Sequence, residues 1–461
     1  MSIKEIDKNI FREYDIRGII GKSLSNHIAY LIGKGFSTLV KKNNGSKIAV
    51  GRDGRLSSPS LSENLILGMI DSGIDVIDIG CVPTPMLYFT RPLLKIDAAM
   101  MVTGSHNPPH HNGFKMMVGD NSLYGDGIKS LYEIINTKDF IKASGSRKVI
   151  NILRKYKNKL LEKSGPFRPV NIVWDCGNGS SGELINELVK NLPGKHHVMF
   201  SEIDGNFPNH HPDPVVKKNL NDLIFHVKKH NADFGIAFDG DGDRIGVVDK
   251  FGGIVAGDLL TSFLAQSIIC KTPSSKIIFD VKSSQTAIDY VRFIGGDPIV
   301  WKTGHSLIKT KMKELKAPLA GEMSGHIFFS DDWYGFDDAP YAALRIIQQH
   351  CSNNGDLNQF IKNFPKSFVS PEIRIECEEG QNFKIIEKIK KQIFSQYPKE
   401  KVLNIDGVRV SNKNGWWLVR ASNTEEAIIA RAESDSKKTL ELLIEEISQN
   451  LKFAGLNWNK Y

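Results

Sequence analysis

Two short stretches of this chain carry residue types and spacings that could do chemistry. The first is Thr103-Gly104-Ser105-His106-Asn107-Pro108-Pro109, which follows the apolar run Ala98-Ala99-Met100-Met101-Val102. So short and apolar a run reads as a buried strand, and such strands deliver functional residues at their carboxyl ends. A hydroxyl set there between a glycine and a proline stop is expected to be presented as a nucleophile. A serine that merely caps a turn or helix is the competing reading. The second stretch is Asp239-Gly240-Asp241-Gly242-Asp243-Arg244, preceded by the apolar Phe234-Gly235-Ile236-Ala237-Phe238. Alternating glycines leave the backbone free to curl, so that Asp239, Asp241 and Asp243 can face one hard divalent cation. A calcium EF-hand loop would need Gly and Glu where Arg244 and Lys250 stand. A following arginine suits a metal with an anionic ligand such as phosphate, which points to Mg²⁺. The other possibility is a solvated acidic turn, although three aspartates compacted without a cation would repel one another.

With further motifs these stretches carry a resemblance. Phe11-Arg12-Glu13-Tyr14-Asp15-Ile16-Arg17-Gly18, Gly51-Arg52-Asp53-Gly54-Arg55, Asn112-Gly113-Phe114-Lys115, Gly321-Glu322-Met323-Ser324-Gly325-His326 and Arg420-Ala421-Ser422-Asn423-Thr424 occur in that order. Together they make the chain resemble, nearly end to end, the α-D-phosphohexomutases, most closely the bacterial phosphomannomutase/phosphoglucomutase group. The resemblance implies a fold of three similar α/β domains with mixed sheets and a C-terminal α+β domain around a central cleft. It also implies reversible phosphoryl transfer between the 1- and 6-positions of mannose and glucose phosphates. A phosphoserine at Ser105 and glucose 1,6-bisphosphate would serve that transfer, the bisphosphate acting as intermediate or activator.

By resemblance, Mg²⁺ would be held by Asp239, Asp241, Asp243 and an oxygen on phosphorylated Ser105. Lys115 would be the general base, assisted by Arg17, with its pKa lowered by cationic neighbours; a surface lysine on an edge strand is the bland alternative. His106 would support the serine loop. Glu322 and Ser324 suit vicinal sugar hydroxyls because one accepts and the other does either, and the resemblance assigns them the hydroxyls that glucose and mannose share. Tyr14, Arg244, Lys282, His305 and His326 would line the substrate site. Arg420, Ser422, Asn423 and Thr424 would cradle the non-transferring phosphate. The family usually has proline two residues after that threonine, where this chain has Glu426. A carboxylate facing the cradle would repel a phosphate. A phosphoglucosamine mutase and a non-catalytic sugar-phosphate or Mg²⁺ binder are the alternatives, and the joint presence of Ser105, Lys115 and Arg17 argues against the second.

Several elements must position these groups. Ser46–Asp53, Val170–Gly179 and Lys276–Ser284 share one plan: a short apolar strand, a polar or glycine loop, then an amphipathic helix. That plan suits sheets covered by helices. One helix near the start carries Leu24, Ile28, Leu31, Ile32, Phe36 and Leu39 on a single stripe. Linker signals near Ile150, Gly252-Gly253 and Asn363–Lys366 divide the 461 residues into 1–150, 151–253, 254–366 and 367–461. These segments would hold, in turn, the serine, the metal loop, the sugar-recognition loop and the phosphate loop. The last should contain a helix at Phe383–Phe394, strands at Val402–Val410, Trp416–Ala421 and Ala427–Ala432, and a helix at Lys437–Leu451.

Composition sets outer limits. Apolar residues make up 41% and charged residues 24%, ordinary for a well-cored globular chain. No apolar run approaches the roughly 18 residues of a membrane span, and the charged start lacks a secretory core, so a soluble cytoplasmic protein without membrane partners is expected. The five cysteines are scattered and never occur as C-x-x-C, which suggests small core residues and neither disulfides nor zinc. The net charge of +8 is spread, and its densest block, Arg154–Lys159, reads as a solvated helix face with no nucleic-acid motif beside it. The positive balance would steer phosphorylated substrates inward. A monomer or weak dimer is expected.

Overall fold

The run Ala98–Val102 is buried at all five positions and forms the middle of the first sheet. It pairs parallel with Lys47–Arg52 and antiparallel with His111–Val118, so the sheet is mixed. Its order runs Ile16–Ile19, His111–Val118, Ala98–Val102, Lys47–Arg52, Asp75–Cys81, Arg147–Val149. The computed structural model describes residues 6–165, 167–353, 355–378, 380–422, 426–456 and 458. Helix Asn26–Lys42 covers this sheet and starts at Ser25, whose side chain accepts from Ile28 N–H. The expected stripe is displaced. Leu24 precedes the helix, and Ile28, Leu31 and Leu39 are only partly buried, while Ala29, Ile32, Gly33, Phe36 and Val40 face inward. Glycines cause the shift: a Cβ on Gly33 would lie 2.2 Å from Leu65 O, and one on Gly68 2.1 Å from Tyr30 O. Helices Asn26–Lys42 and Ser58–Ile70 therefore cross backbone to backbone.

The second sheet is mixed as well, in the order Ile254–Val255, Ile245–Asp249, Phe234–Phe238, Val170–Asp175, Gly194–Met199. The Gly252-Gly253 pair is not a linker. It closes a hairpin within this sheet, where Asp249 Oδ1 accepts from Phe251 N at 2.8 Å and Gly253 N at 2.7 Å. Turn glycines serve hairpins and linkers equally, which is why the sequence misleads here. Helix Leu153–Ser164 holds the basic block. It buries Tyr156 and Leu160 on one side, with Arg154 and Lys155 exposed, as a solvated face should.

The chain forms two compact units, Met1–Leu260 with Ser324–Phe360, and Thr261–Met323 with Ile361–Tyr461. In the second unit, Asp297–Trp301, Lys276–Asp280 and Leu319–Gly321 pair in parallel. The final sheet is antiparallel: Phe368–Val369, Ala427–Ser434, Gly415–Ala421, Val408–Asn412, Val402–Leu403. The expected single strand over Val402–Val410 is a hairpin, with Val402 opposite Val410. It turns at Gly407, which has φ +79 and where a Cβ would meet Val419 O at 2.3 Å. Helices Asn382–Gln396 and Lys437–Phe453 pack Ile385, Ile389, Ile393, Leu443, Ile447 and Leu451 over this sheet. Three α/β sheets and a differently built α+β end are the expected fold class. The cysteines depart from expectation: all are free, yet only Cys176 is buried and Cys270 is exposed. Among the described residues no helix is long and apolar enough to cross a membrane.

Candidate active site

Ser105 sits just beyond the buried strand Ala98–Val102, at φ +48, a left-handed conformation unusual for serine. Neighbouring groups hold it there. Asp53 Oδ2 accepts from Thr103 Oγ1 at 2.8 Å and Gly104 N at 3.0 Å, and Ser105 N donates to Thr103 Oγ1 at 2.8 Å. The Arg55 guanidinium lies inside the loop and donates to four carbonyls: Ser105 O at 2.8 Å, Asn107 O at 2.5 Å, Pro108 O at 2.6 Å and His111 O at 3.1 Å. Gly104 has to be glycine, because a Cβ would lie 2.5 Å from that guanidinium. Ser105 is consequently buried at 2% exposure rather than openly presented, a correction to the sequence reading.

The Asp239–Asp243 turn joins strands Phe234–Phe238 and Ile245–Asp249 in the same unit as the serine. Ser105 Oγ donates to Asp239 Oδ2 at 2.8 Å and lies 3.1 Å from His106 Nδ1. Gly240 permits the approach, since a Cβ there would meet Ser105 O at 2.5 Å. Asp239 Oδ1 accepts from the backbone N–H groups of Asp243 and Arg244, both at 3.1 Å. Asp241 Oδ2 accepts from Thr84 Oγ1 at 2.6 Å and Lys115 Nζ at 2.7 Å, and Lys115 also binds Asp243. The three carboxylates each place an oxygen within 4.8 Å of the others, fully buried. They are therefore not a solvated turn.

So much buried negative charge shifts every group nearby. Burial, reinforced by Asp241 and Asp243, drives the Asp239 carboxyl well above the ordinary range. Burial acts the same way on Asp241, but Lys115 and the hydroxyl of Thr84 overcome it and hold that carboxyl below its usual value. Lys115 is the correction that matters most for mechanism. Burial alone would lower its pKa, yet Asp241 and Asp243 raise it well above that of a free lysine, so the expected cationic depression is reversed. Its strand, His111–Val118, is flanked on both sides by other strands, so Lys115 is no edge-strand surface residue. His106 is pushed far down by burial and by Arg244 and Arg17, and is neutral. Arg17 Nε donates to Asp15 at 2.8 Å and its Nη1 to Asn107 Oδ1, which links the first strand to the serine loop.

Mg²⁺ fits this donor set. All candidate ligands are hard oxygens, and the buried Asp241 Oδ1 and Asp243 Oδ1 accept no hydrogen bond among the described residues. Arg244 Nε donates to His326 Nε2 at 2.9 Å, and His326 Nδ1 stands 3.1 Å from Asp337 Oδ2. The loop bearing Ser324 and His326 is tied to the aspartate turn's strand by Ile245 N donating to Gly325 O at 3.0 Å. Tyr14 is buried beside Asp15 in the same unit.

The second unit gathers most of the remaining residues. Glu322 follows strand Leu319–Gly321, is 2% exposed, and accepts from Gly304 N at 2.7 Å immediately before His305 opens its helix. Lys282 Nζ pairs with Glu372 at 3.1 Å. Arg420 Nε donates to Asp406 Oδ2 at 3.0 Å, and that oxygen also takes Thr303 N at 3.1 Å. Ser422 is buried and its N–H closes on Ala427 O at 2.8 Å. Asn423 and Thr424 lie outside the described residues. Glu426 does not hang free: its Oε2 accepts from Gly380 N at 3.0 Å and its carbonyl from Cys377 N at 2.9 Å.

Sequence reasoning assigned no role to Asp53, Arg55, Thr84, Asp337, Glu372 or Asp406. Asp53 and Arg55 were visible inside the Gly51–Arg55 motif. The other four carry no local signal: Thr84 and Glu372 meet partners 157 and 90 residues away, and Asp337 and Asp406 lie outside the motifs.

The comparisons with known proteins agree with this arrangement. Family models described as phosphoglucomutase/phosphomannomutase, alpha/beta/alpha domains I, II and III match residues 8–142, 151–252 and 256–368, and the C-terminal domain model matches residues 372–450. The chain belongs to the phosphoglucomutase/phosphomannomutase family. It is 43% identical over 444 residues to a Pseudomonas aeruginosa phosphomannomutase/phosphoglucomutase, covering 96% of each chain. It is 42% identical over 439 residues to a Neisseria gonorrhoeae phosphoglucomutase, covering 95% of each. A crystal structure of a phosphoglucomutase/phosphomannomutase family protein from Burkholderia thailandensis superposes with TM-score 0.91 at 40% identity, covering 98% of this chain and 99% of that one.

Proposed function

We propose that the protein is a phosphohexomutase that interconverts the 1- and 6-phosphates of glucose and mannose, with Ser105 as the phosphoryl carrier and glucose 1,6-bisphosphate as intermediate and activator. The observation that carries this reading is the Ser105 hydroxyl bound at 2.8 Å to one of three buried aspartates, with the Lys115 ammonium set between the other two. Mg²⁺, when bound by one oxygen each of Asp239, Asp241 and Asp243 together with a phosphoserine oxygen, supplies fixed positive charge against a group carrying about −1.5 to −2 at neutral pH.

The chain's own residues carry the rest. As the bond between phosphorus and Ser105 Oγ breaks and one to the sugar hydroxyl forms, a proton has to leave that hydroxyl and another has to reach Oγ. Lys115 enters the cycle as an ammonium, so its first act is donation toward the serine oxygen, and it becomes a base only afterwards. Such a shuttle returns to its starting protonation with no net proton gained or lost. Arg17 and Arg55 fix the loop, Arg55 through four carbonyls. Neutral His106 supports Ser105 from 3.1 Å. Arg244, donating to His326 Nε2, supplies a cationic edge for the sugar phosphate, with His326, Tyr14 and Ser324 in the same unit. In the second unit Glu322 accepts sugar hydroxyls, Lys282 stands on a loop and His305 at the start of its helix, and Arg420 with Ser422, Asn423 and Thr424 takes the non-transferring phosphate. We assign the four segments 1–150, 151–253, 254–366 and 367–461 the serine, metal, sugar and phosphate loops in turn, with Ile254–Val255 completing the second segment's sheet, in a cytoplasmic monomer or weak dimer.

Intact-mass measurement of the purified protein tests the reading. One added phosphate should be present on a fraction of the wild type and absent from Ser105→Ala, which should lose nearly all isomerisation of glucose 1-phosphate and mannose 1-phosphate. A fully active alanine variant would overturn the assignment. Faster turnover of glucosamine phosphate than of either hexose phosphate would move the enzyme to a different branch of the family.

A further inference from the structure

The second sheet carries a histidine cluster that the mutase chemistry does not use. His197 stands on Gly194–Met199, an edge strand of that sheet. His226 lies in helix Asn221–Lys229, and His230 caps its C-terminus. Residues four apart share one helix face, and the alternation of a strand sends His197 to the side opposite His196, whose ring bonds Trp174 Nε1 at 3.2 Å. The three rings converge. Their centroids are 4.3 Å apart for His197 and His230, 5.1 Å for His197 and His226, and 5.5 Å for His226 and His230. Each ring offers a nitrogen within 4.8 Å of the other two.

We propose that His197, His226 and His230 bind one borderline transition-metal ion, Zn²⁺ foremost, through imidazole nitrogens, with a fourth position open to water. His226 Nδ1 and His230 Nε2, which share a hydrogen bond of 3.4 Å that an ion would replace, carry the argument. Two nitrogens about 2.0–2.1 Å from a tetrahedral ion are separated by about 3.3–3.4 Å, so this pair already spans one edge of such a site. A donor set made only of imidazoles suits Zn²⁺, Ni²⁺ or Cu²⁺ and not Mg²⁺, which makes the cluster chemically distinct from the aspartate turn. The C-terminal end of a helix favours a cation. Of the charged neighbours, Lys229 opposes one but its ammonium is drawn over the Phe225 ring at 5.8 Å, and Asp222 on the same helix adds negative charge. The bound ion would staple the edge strand to the helix beside it.

The test uses untagged full-length protein stripped by chelator and returned to excess Mg²⁺, so that the aspartate site is saturated. ZnCl₂ is titrated by calorimetry into wild type, His230→Ala, the double variant His226→Ala/His230→Ala, and Asp241→Asn. Wild type and Asp241→Asn should each take up one equivalent. His230→Ala, at an exposed helix end, should bind at least about tenfold more weakly, the smallest loss common even for residues behind the ligands. The double variant should take up none, and Co²⁺ should give the visible bands of a tetrahedral site in wild type but not in the double variant. No uptake by wild type in excess Mg²⁺, uptake that survives the double substitution, or uptake lost only in Asp241→Asn would each overturn the proposal.

Discussion

Replacing Thr84 by valine tests whether the aspartate turn is held ready from outside. Thr84 opens helix Thr84–Leu94 and reaches Asp241 twice, its N–H donating to Asp241 O at 2.7 Å and its hydroxyl to Asp241 Oδ2 at 2.6 Å. Valine keeps the shape and the first bond and removes the second. A buried hydrogen bond to a charged group contributes about 1.5–3 kcal/mol, which at about 1.4 kcal/mol per factor of ten is about ten- to 150-fold. Groups that orient metal ligands from behind independently cost about 10–100-fold when lost. Lys115 Nζ still serves the same carboxylate oxygen at 2.7 Å, so the expectation falls nearer tenfold than a hundredfold. The loss should appear as a higher Mg²⁺ requirement, with turnover at saturating Mg²⁺ little changed, because the reacting groups stay in place. Steady-state rates on glucose 1-phosphate across a Mg²⁺ series, together with direct Mg²⁺ binding by calorimetry, measure it. Thr84→Ser, which keeps the hydroxyl, should behave like wild type. A folded Thr84→Val protein with an unchanged Mg²⁺ requirement would show that the hydroxyl does not position Asp241.

Three further expectations come from individual residues. Burial pushes Asp338 up to about 7, despite donors from Tyr156, Trp333 and the Tyr341 N–H. The folded state therefore binds a proton that the unfolded chain has released, and this carboxyl destabilises the fold progressively as pH rises from about 4 to 7. Asp338→Asn cannot ionise, so its melting temperature relative to wild type should climb between pH 5 and pH 8, and a constant difference would contradict the raised pKa. Glu426 spends its carboxylate on Gly380 N–H, so it is not poised to repel a phosphate. Glu426→Gln should leave the Michaelis constant for glucose 1-phosphate unchanged at low ionic strength, and Glu426→Pro should not lower it; a drop in either variant would restore the repulsion argument. Glu322→Gln should reduce efficiency on glucose and mannose phosphates by similar factors, worth about 1.5–3 kcal/mol for one charged hydrogen bond, and a large change in their ratio would displace Glu322 from the shared hydroxyls.

Local patterning was enough for much of this protein. Five apolar residues in Ala98–Val102 can only be a buried strand, and the serine after it lies at a strand's carboxyl end because period and polarity are local properties. Glycines alternating with aspartates announce a curled acidic turn for the same reason. Where a local signal serves two ends, the sequence misled: Gly252-Gly253 reads as a linker and closes a hairpin, and Val402–Val410 reads as one strand and folds back at Gly407. Tertiary structure alone decided the electrostatics. Lys115 and Asp241 are 126 residues apart, so nothing in either motif shows that the lysine is clasped by two carboxylates and driven to a higher pKa, not a lower one. The same holds for Thr84 on Asp241, separated by 157 residues, and for Ser105 on Asp239, separated by 134. Charge interaction depends on distance through space and on burial, and neither quantity exists until the strands have been stacked into a sheet and the loops brought over one another.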